Sequence, residues 1–384
     1  MGLVCAALGA LACGGASASA DSQLGSYGPG AGHFIEPNGI EVDEESGDVY
    51  VLDTNNRRVD RFTKDGTFVL AWGWAVADGK TEALQTCTTA TGCFSGLRGT
   101  GAGQLGFAEG LAVDNDRLSS SHHDVYAVDI RNHRVEKFSP AGQFLLMFGG
   151  QVNATAHERG ETADEDICPV QPGDKCQAGS VGSAEGQFEF PVEGNFIAVG
   201  SSGTVYVGDR NRVQEFSSSG VYQSQVKLLP TLTEGEPGGT IALVVNAGGD
   251  LYVVRNGVGG VREYTPQGEL LRTLDEGAEP EFTEGPTPAL AIDPEGHVFV
   301  DFHEEDRHHV VEYGRSGAEL ASFDAGTEDG LHGLAYGSGS LYIVNANSDV
   351  TPPSAVVRVL AAPRLSSTVF SSFEILPWLT GGGG

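Results

Sequence analysis

Positive charge is scarce in this sequence: 22 Lys and Arg stand against 52 Asp and Glu in 384 residues, a formal charge of −30. A surface so one-signed repels phosphate and has no counterion release to offer, which argues against nucleic acid as a partner. An anionic membrane surface is disfavoured for the same reason. Long apolar runs are lacking too. Leu3–Ala12 is too short, and too rich in Gly and Ala, to anchor the chain in a bilayer, so no membrane insertion is expected. Helical periodicity is absent throughout, and no Ser–His–Asp set, phosphate loop or metal triad emerges from spacing. What the chain does have is 40% hydrophobic residues with 18 Phe and 10 Tyr, enough for a core and against wholesale disorder. Its 56 Gly are about twice the usual ~7% and are spread along the chain, as tight turns between short strands require.

Residues 1–20 carry no charge and no aromatic ring, and Leu3–Ala12 has the length of a signal-peptide core. Ala18-Ser19-Ala20 before Asp21 reads as a cleavage site. No Lys or Arg precedes the apolar run. Cys13 leaves a lipoprotein signal as an alternative, although Ala10 stands where an aliphatic residue is usual. The expectation is export, to a secreted or cell-envelope location.

From residue 36 onward one unit recurs six times. Copy one reads EPNGIEVDEESGDVYVLDTNNRRVDRFTKDGTFVLAWG over 36–73. Copy two carries GLAVD at 110–114 and DVYAVDIRNHRVEKFSPAGQFLLMFG at 124–149. Later copies keep the same order of elements. Measured on the aromatic of the V-Y-V strand (Tyr50, Tyr126, Tyr206, Tyr252, Phe299, Tyr342), the spacings are 76, 80, 46, 47 and 43. The last three define a unit of propeller-blade length. The first two carry insertions, at about 75–104 and 151–185. Period-two alternation marks four strands in copies one to five. Gly66, Gly142, Gly220, Gly268 and Gly317 mark the turn from third to fourth strand.

Copy six stops after its third strand, at Leu360, while a spare strand precedes copy one at Gln23–Gly28. Pairing the two would close a ring and leave no open sheet edge. The expected fold is therefore all-β: a single six-bladed β-propeller of four-stranded blades over 21–361, closed by an N-terminal strand completing the last blade. Residues 362–384 form a C-terminal tail.

The pattern P-x-G-I-x-V-D…G-x-V-Y-V-x-D-x-x-N-x-R-V-x-x-F resembles the NHL-repeat family over roughly 22–360. Copies four to six depart from it: Arg255, Phe302 and Asn345 replace its Asp, and Gly260, His309 and Val356 its Arg. The resemblance implies a six-bladed propeller. It does not imply one function, since members bind RNA, proteins or sugars and one branch holds a peptide-amidating lyase whose zinc ligands find no match here.

Four cysteines lie within the insertions, Cys87 and Cys93 in the first, Cys168 and Cys176 in the second. In an exported chain they read as disulfides, and short loops favour pairing within each insertion. Asp53/Asn56/Arg58, Asp129/Asn132/Arg134 and Asp209/Asn211/Arg212 read either as turns held by ion pairs or as a ring of Arg58, Arg134 and Arg212 awaiting an anion. The segment from His303 to His309 is expected to be a charged loop between strands. It departs from H-E-x-x-H because Arg307 stands in the last position, and His303, Glu305 and His309 are a conceivable divalent-ion set.

Residues entering the first strands are Asn38, Glu109, Glu193, Pro288 and His332, with Ile241 in the fourth copy. They are expected at one channel mouth, on the face bearing both insertions, where such folds bind. The resulting expectation is a monomeric, non-enzymatic scaffold that holds a protein, peptide or glycan and needs no cofactor. The alternative is a metal-assisted lyase or hydrolase using Glu109, His332 and His303 or His309, the only reading in which zinc or calcium enters.

Overall fold

The computed structural model describes residues 22–190, 194–231, 239–256, 258–274, 289–304, 307–326, 331–347 and 353–361. The proposed signal segment, Glu193, Pro288, Glu305 and the 362–384 tail lie outside the described residues. Six antiparallel sheets form six blades. The first strands are Pro37–Val42, Ala108–Val113, Ile197–Val199, Thr240–Val245, Leu290–Ile292 and Leu331–Gly337. Each touches the first strand of the next blade, and that of blade 6 meets that of blade 1, so the ring is closed.

Burial follows position within the blade. The V-Y-V strands Val49–Asp53 and Val125–Asp129 are buried at every residue, because neighbouring blades cover both their faces. Outer strands such as Tyr222–Lys227 face water and carry Gln and Ser. Apolar side chains gather between blades. Tyr50, Leu52 and Trp72 of blade 1 pack on Leu111, Val125 and Phe138 of blade 2. Ile40, Val42 and Phe62 of blade 1 pack on Tyr342, Val344 and Val357 of blade 6. Gly142 shows why the third turn needs glycine: its φ is +77°, and a Cβ there would lie 2.6 Å from Cβ of Trp72.

The ring closes with Ser22–Leu24, which pairs antiparallel with Ser354–Ala361 and thereby supplies the fourth strand of blade 6. Leu24 from this strand is 5% exposed and joins the cluster between blades 6 and 1. The strand is shorter than Gln23–Gly28: Gly25 turns left-handed at φ +72°, and Tyr27 makes only an isolated bridge to Phe34.

Blades 1 and 2 depart from the four-stranded expectation. Leu84–Cys87 pairs with Phe68–Trp74, and Ile167–Cys168 pairs with Phe144–Phe148, so each has five strands. Each insertion returns along an outer edge whose backbone groups would otherwise meet only water. The pairings Cys87–Cys93 and Cys168–Cys176 are present, and each disulfide belongs to a small apolar cluster beneath its insertion. The second insertion also holds a helix, Ala154–Arg159, where none was expected. Asn153 caps it by accepting from the Ala156 N–H, and Gly160 ends it left-handed. Among the described residues no helix is long and apolar enough to cross a membrane.

Candidate functional site

The three Asp–Asn–Arg elements lie where the second strand turns into the third. Arg58 and Arg134 have no accessible surface. Arg58 donates to the carbonyls of Pro29, Gly30 and His33 in the segment leading into its own blade, and to Phe94 of the first insertion. Arg134 repeats this with Thr100, Gly101 and Gln104, and adds Gln177 of the second insertion. Arg212 does so with Ser183, Ala184 and Gln187. The similar segments GAGHF (30–34), GAGQL (101–105) and AEGQF (184–188), each with the residue before it, are thus carbonyl cradles for arginine. Arg58 and Arg134 tie blade to linker and are not presented to an anion, which corrects the ring-of-guanidinium reading for them.

Their partners are buried acids. Arg58 lies 3.2 Å from Asp53 and 2.9 Å from Asp60. Burial pushes Asp53 well up and Asp60 to about 6, while the guanidinium opposes both shifts. In blade 2, burial raises Glu136 to about 7 against the pull of Arg134. Asp53 also accepts from the Ile35 N–H, and Asp129 from the N–H groups of Gly106 and Phe107. Each acid therefore fixes the same linker from its other side.

The insertion-side channel mouth is tight. A Cβ on Gly39 would lie 2.8 Å from the Glu109 carbonyl oxygen, and one on Gly333 would strike the carbonyl of Asn38. Glycine opens the first-strand motif there because neighbouring backbones approach too closely for a side chain. Glu109 is 2% exposed and accepts from the Gly194 N–H at 2.9 Å, joining blade 2 to blade 3. Asn38 is half-buried and reaches Thr54 at 3.3 Å. His332 is half-buried in its strand, and Ile241 is buried. Around Gly39, Glu109 and Gly333, then, the described part of this mouth is drawn together by contacts between neighbouring blades.

The segment expected to be a charged loop is strand on both sides. His303 pairs with His308 and Glu304 with Arg307, lengthening the hairpin of blade 5. The side chain of His303 lies outside the described residues. His309 stacks on Phe302 with ring centres 5.6 Å apart. Two convergent ligand-like groups occur among the described residues, Glu45/His122/His123 and Asp293/His297/Glu312. Neither includes Glu109, His332 or His309, and both belong to the opposite face, at the turns between first and second strands, with Glu312 reaching in from the third strand of blade 5.

A polar cavity of about 380 Å³ opens on the insertion face beside blade 3. Its wall includes Ser183 from the end of the second insertion, Glu189, Arg210, Arg212, Gln225 and Lys227. Arg212 is organised there by Asp209 at 2.9 Å and by the Gln225 Oε1 at 2.9 Å. Burial lifts Asp209 to about 6 despite that arginine. Three cationic and two acidic side chains line the cavity, a local reversal of the chain's charge. Arg212 was legible from the repeat; Arg210, Gln225 and Lys227 carry no sequence signal of their own.

A second cavity, about 150 Å³, lies on the propeller axis toward the opposite face. Val113, Ile197, Val244, Leu290 and Leu334 from five first strands form its wall, and Glu41 is the contribution of the sixth. A signal for it exists in the repeat. The x of G-I-x-V-D is Glu41 in copy one and Ala112, Ala198, Val244, Ala291 and Ala335 in the others.

These features define a closed six-bladed β-propeller with arginine-clamped linkers and two disulfide-stapled insertions. No family model matches the chain. Protein brain tumor of Drosophila melanogaster is 27% identical over 142 residues, 37% of this chain, and the aligned stretch spans only 11% of that protein's length. Among solved structures, virginiamycin B lyase from Staphylococcus aureus aligns with a TM-score of 0.49 at 10% identity, covering 88% of this chain and 98% of the lyase. A gluconolactonase from Xanthomonas campestris aligns with a TM-score of 0.49 at 12% identity, covering 85% and 86%. Similarity at this level says nothing of what this chain binds or converts.

Proposed function

We propose that this chain is an exported propeller of the NHL-repeat type and a non-enzymatic scaffold that holds a peptide or glycan on its insertion face. The observation that carries this reading is the polar cavity beside blade 3. Hydrogen-bonding side chains of both charge signs converge there, next to the return of the second insertion. Such a surface, polar heads carried on aliphatic stems, suits ligands that combine hydroxyl, amide or carboxylate groups with apolar faces, as peptides and glycans do. Two disulfides support export, because such bonds persist in oxidising compartments.

A metal-assisted lyase built on Glu109, His332 and His309 finds less support, since the Glu109 carboxylate already serves the Gly194 N–H. Screening the purified protein on peptide and glycan arrays, then titrating the strongest ligand, tests the proposal. Arg210→Ala and Gln225→Ala should each weaken binding by about tenfold, the loss of roughly 1.4 kcal/mol. Lys64→Ala and Arg315→Ala, on the other face, should leave it unchanged. If the second pair abolishes binding and the first does not, the ligand sits on the wrong side for this reading.

A further inference from the structure

We propose that the axial cavity is a binding site for a small organic ammonium ion, with Glu41 as its counter-charge and the six first strands as its wall. The site faces away from the insertions and is independent of the function proposed above.

Three observations converge on it. The blades repeat closely, yet one carboxyl interrupts a ring of Ala and Val at the middle of the first strand. That carboxyl opens onto a cavity of about 150 Å³, room enough for a small organic ion. Lastly, the polar groups around the cavity are acidic or neutral: Glu44, Asn115, Asn195 and Tyr336, with no Lys or Arg among the described residues that line it. Glu295 acts electrostatically on Glu44, and Arg117 is the nearby cation that opposes it.

The chemistry of Glu41 follows from where it sits. Desolvation pushes its carboxyl up to about 8, with the negative charge of Glu44 adding to the shift and the Val42 N–H opposing it. Near neutral pH the group therefore holds a proton until a cation takes its place. Entry of an alkylammonium ion leaves a carboxylate–ammonium pair in the cavity and releases the Glu41 proton to solvent. One cation enters and one proton leaves, so the cavity gains no net charge.

The test uses n-butylammonium as probe, titrated calorimetrically into the full chain near neutral pH in two buffers of different ionisation enthalpy. Binding at one site per chain, with a heat that varies between buffers as one released proton requires, is the expected result. The neutral isostere n-butanol should bind at least about tenfold more weakly, as should n-butylammonium to Glu41→Gln. Glu44→Gln, at the rim, should weaken binding less and flatten its dependence on salt. Wild-type protein that ignores n-butylammonium into the tens of millimolar would overturn the proposal. So would equal affinity for n-butanol, or binding without proton release, and both of these are read on wild-type protein even if Glu41→Gln fails to fold.

Discussion

The guanidinium of Arg134 donates to the carbonyl oxygen of Gln104 across 2.8 Å, and so fastens blade 2 to the segment of chain that leads into it. The same hand-hold joins Arg58 to His33 at 2.7 Å and Arg212 to Gln187 at 2.9 Å. Arg134→Ala would strand Asp129 and Glu136 as buried acids and leave linker carbonyls without donors. It should cost about 3–5 kcal/mol in chemical denaturation. Arg131→Ala, in the same turn but exposed and resting on the Phe107 ring, should cost less than about 1 kcal/mol. Equal losses from both would show that the cradle is dispensable.

Glu109 is predicted to matter for stability rather than for ligand contact. Replacing it by Ala removes the acceptor of the buried Gly194 N–H and loosens the seam between blades 2 and 3. The expected cost is about 1–3 kcal/mol. Asn38→Ala, which loses a long and partly exposed bond to Thr54, should cost under about 1 kcal/mol. Thermal melting of the two variants side by side checks the order.

Ring closure rests on a strand of three residues, so a single side chain should control it. Leu24 packs with Phe34, Val357 and Ala355 between the last blade and the first. Leu24→Asp would bury an unpaired carboxylate there, and removal of the apolar contact alone is worth about 2–5 kcal/mol. A sharp drop in melting temperature is expected, with rapid proteolysis near the N-terminus. A variant that melts like the wild type would mean that the ring does not depend on this strand.

Glu41 gives the protein a pH dependence of known sign. Burial pushes its carboxyl up to about 8 in the folded chain, from the ordinary 4.5. Below the lower value both states are protonated and the group is neutral in its effect. As pH rises toward 8 the unfolded chain ionises while the folded one resists, so stability falls and the loss is complete above 8. Glu41→Gln should therefore match the wild type near pH 4 and exceed it by at least about 1 kcal/mol above pH 8, one pKa unit being worth about 1.36 kcal/mol. Denaturant melts across that range decide the matter; parallel curves for the two proteins would place Glu41 in water.

The blades, their number and their closure were readable because they rest on local rules. Strand alternation, turn glycines and a fixed repeat of the V-Y-V segment constrain a chain wherever it folds, and the orphan strand at Gln23 had one vacant edge to fill at Leu360. The cysteine pairs were readable for a similar reason, since each closes a short loop.

Other features depended on which distant atoms meet. Whether Arg58 faces a ligand or a linker turns on the carbonyls of Pro29, Gly30 and His33, which precede it by 25 to 29 residues. At Gly39 and Gly333, glycine lets the first-strand backbones of neighbouring blades close on one another at the channel mouth, an approach that depends on which blades become neighbours in the ring. Glu41 was visible as an exception in the repeat, yet its raised pKa came only from being surrounded by the aliphatic strands of five other blades. Sequence alone determined the blade, because each blade is built from neighbours along the chain. Only the tertiary structure decided the sites, because desolvation and approach distance belong to residues that the closed ring brings together.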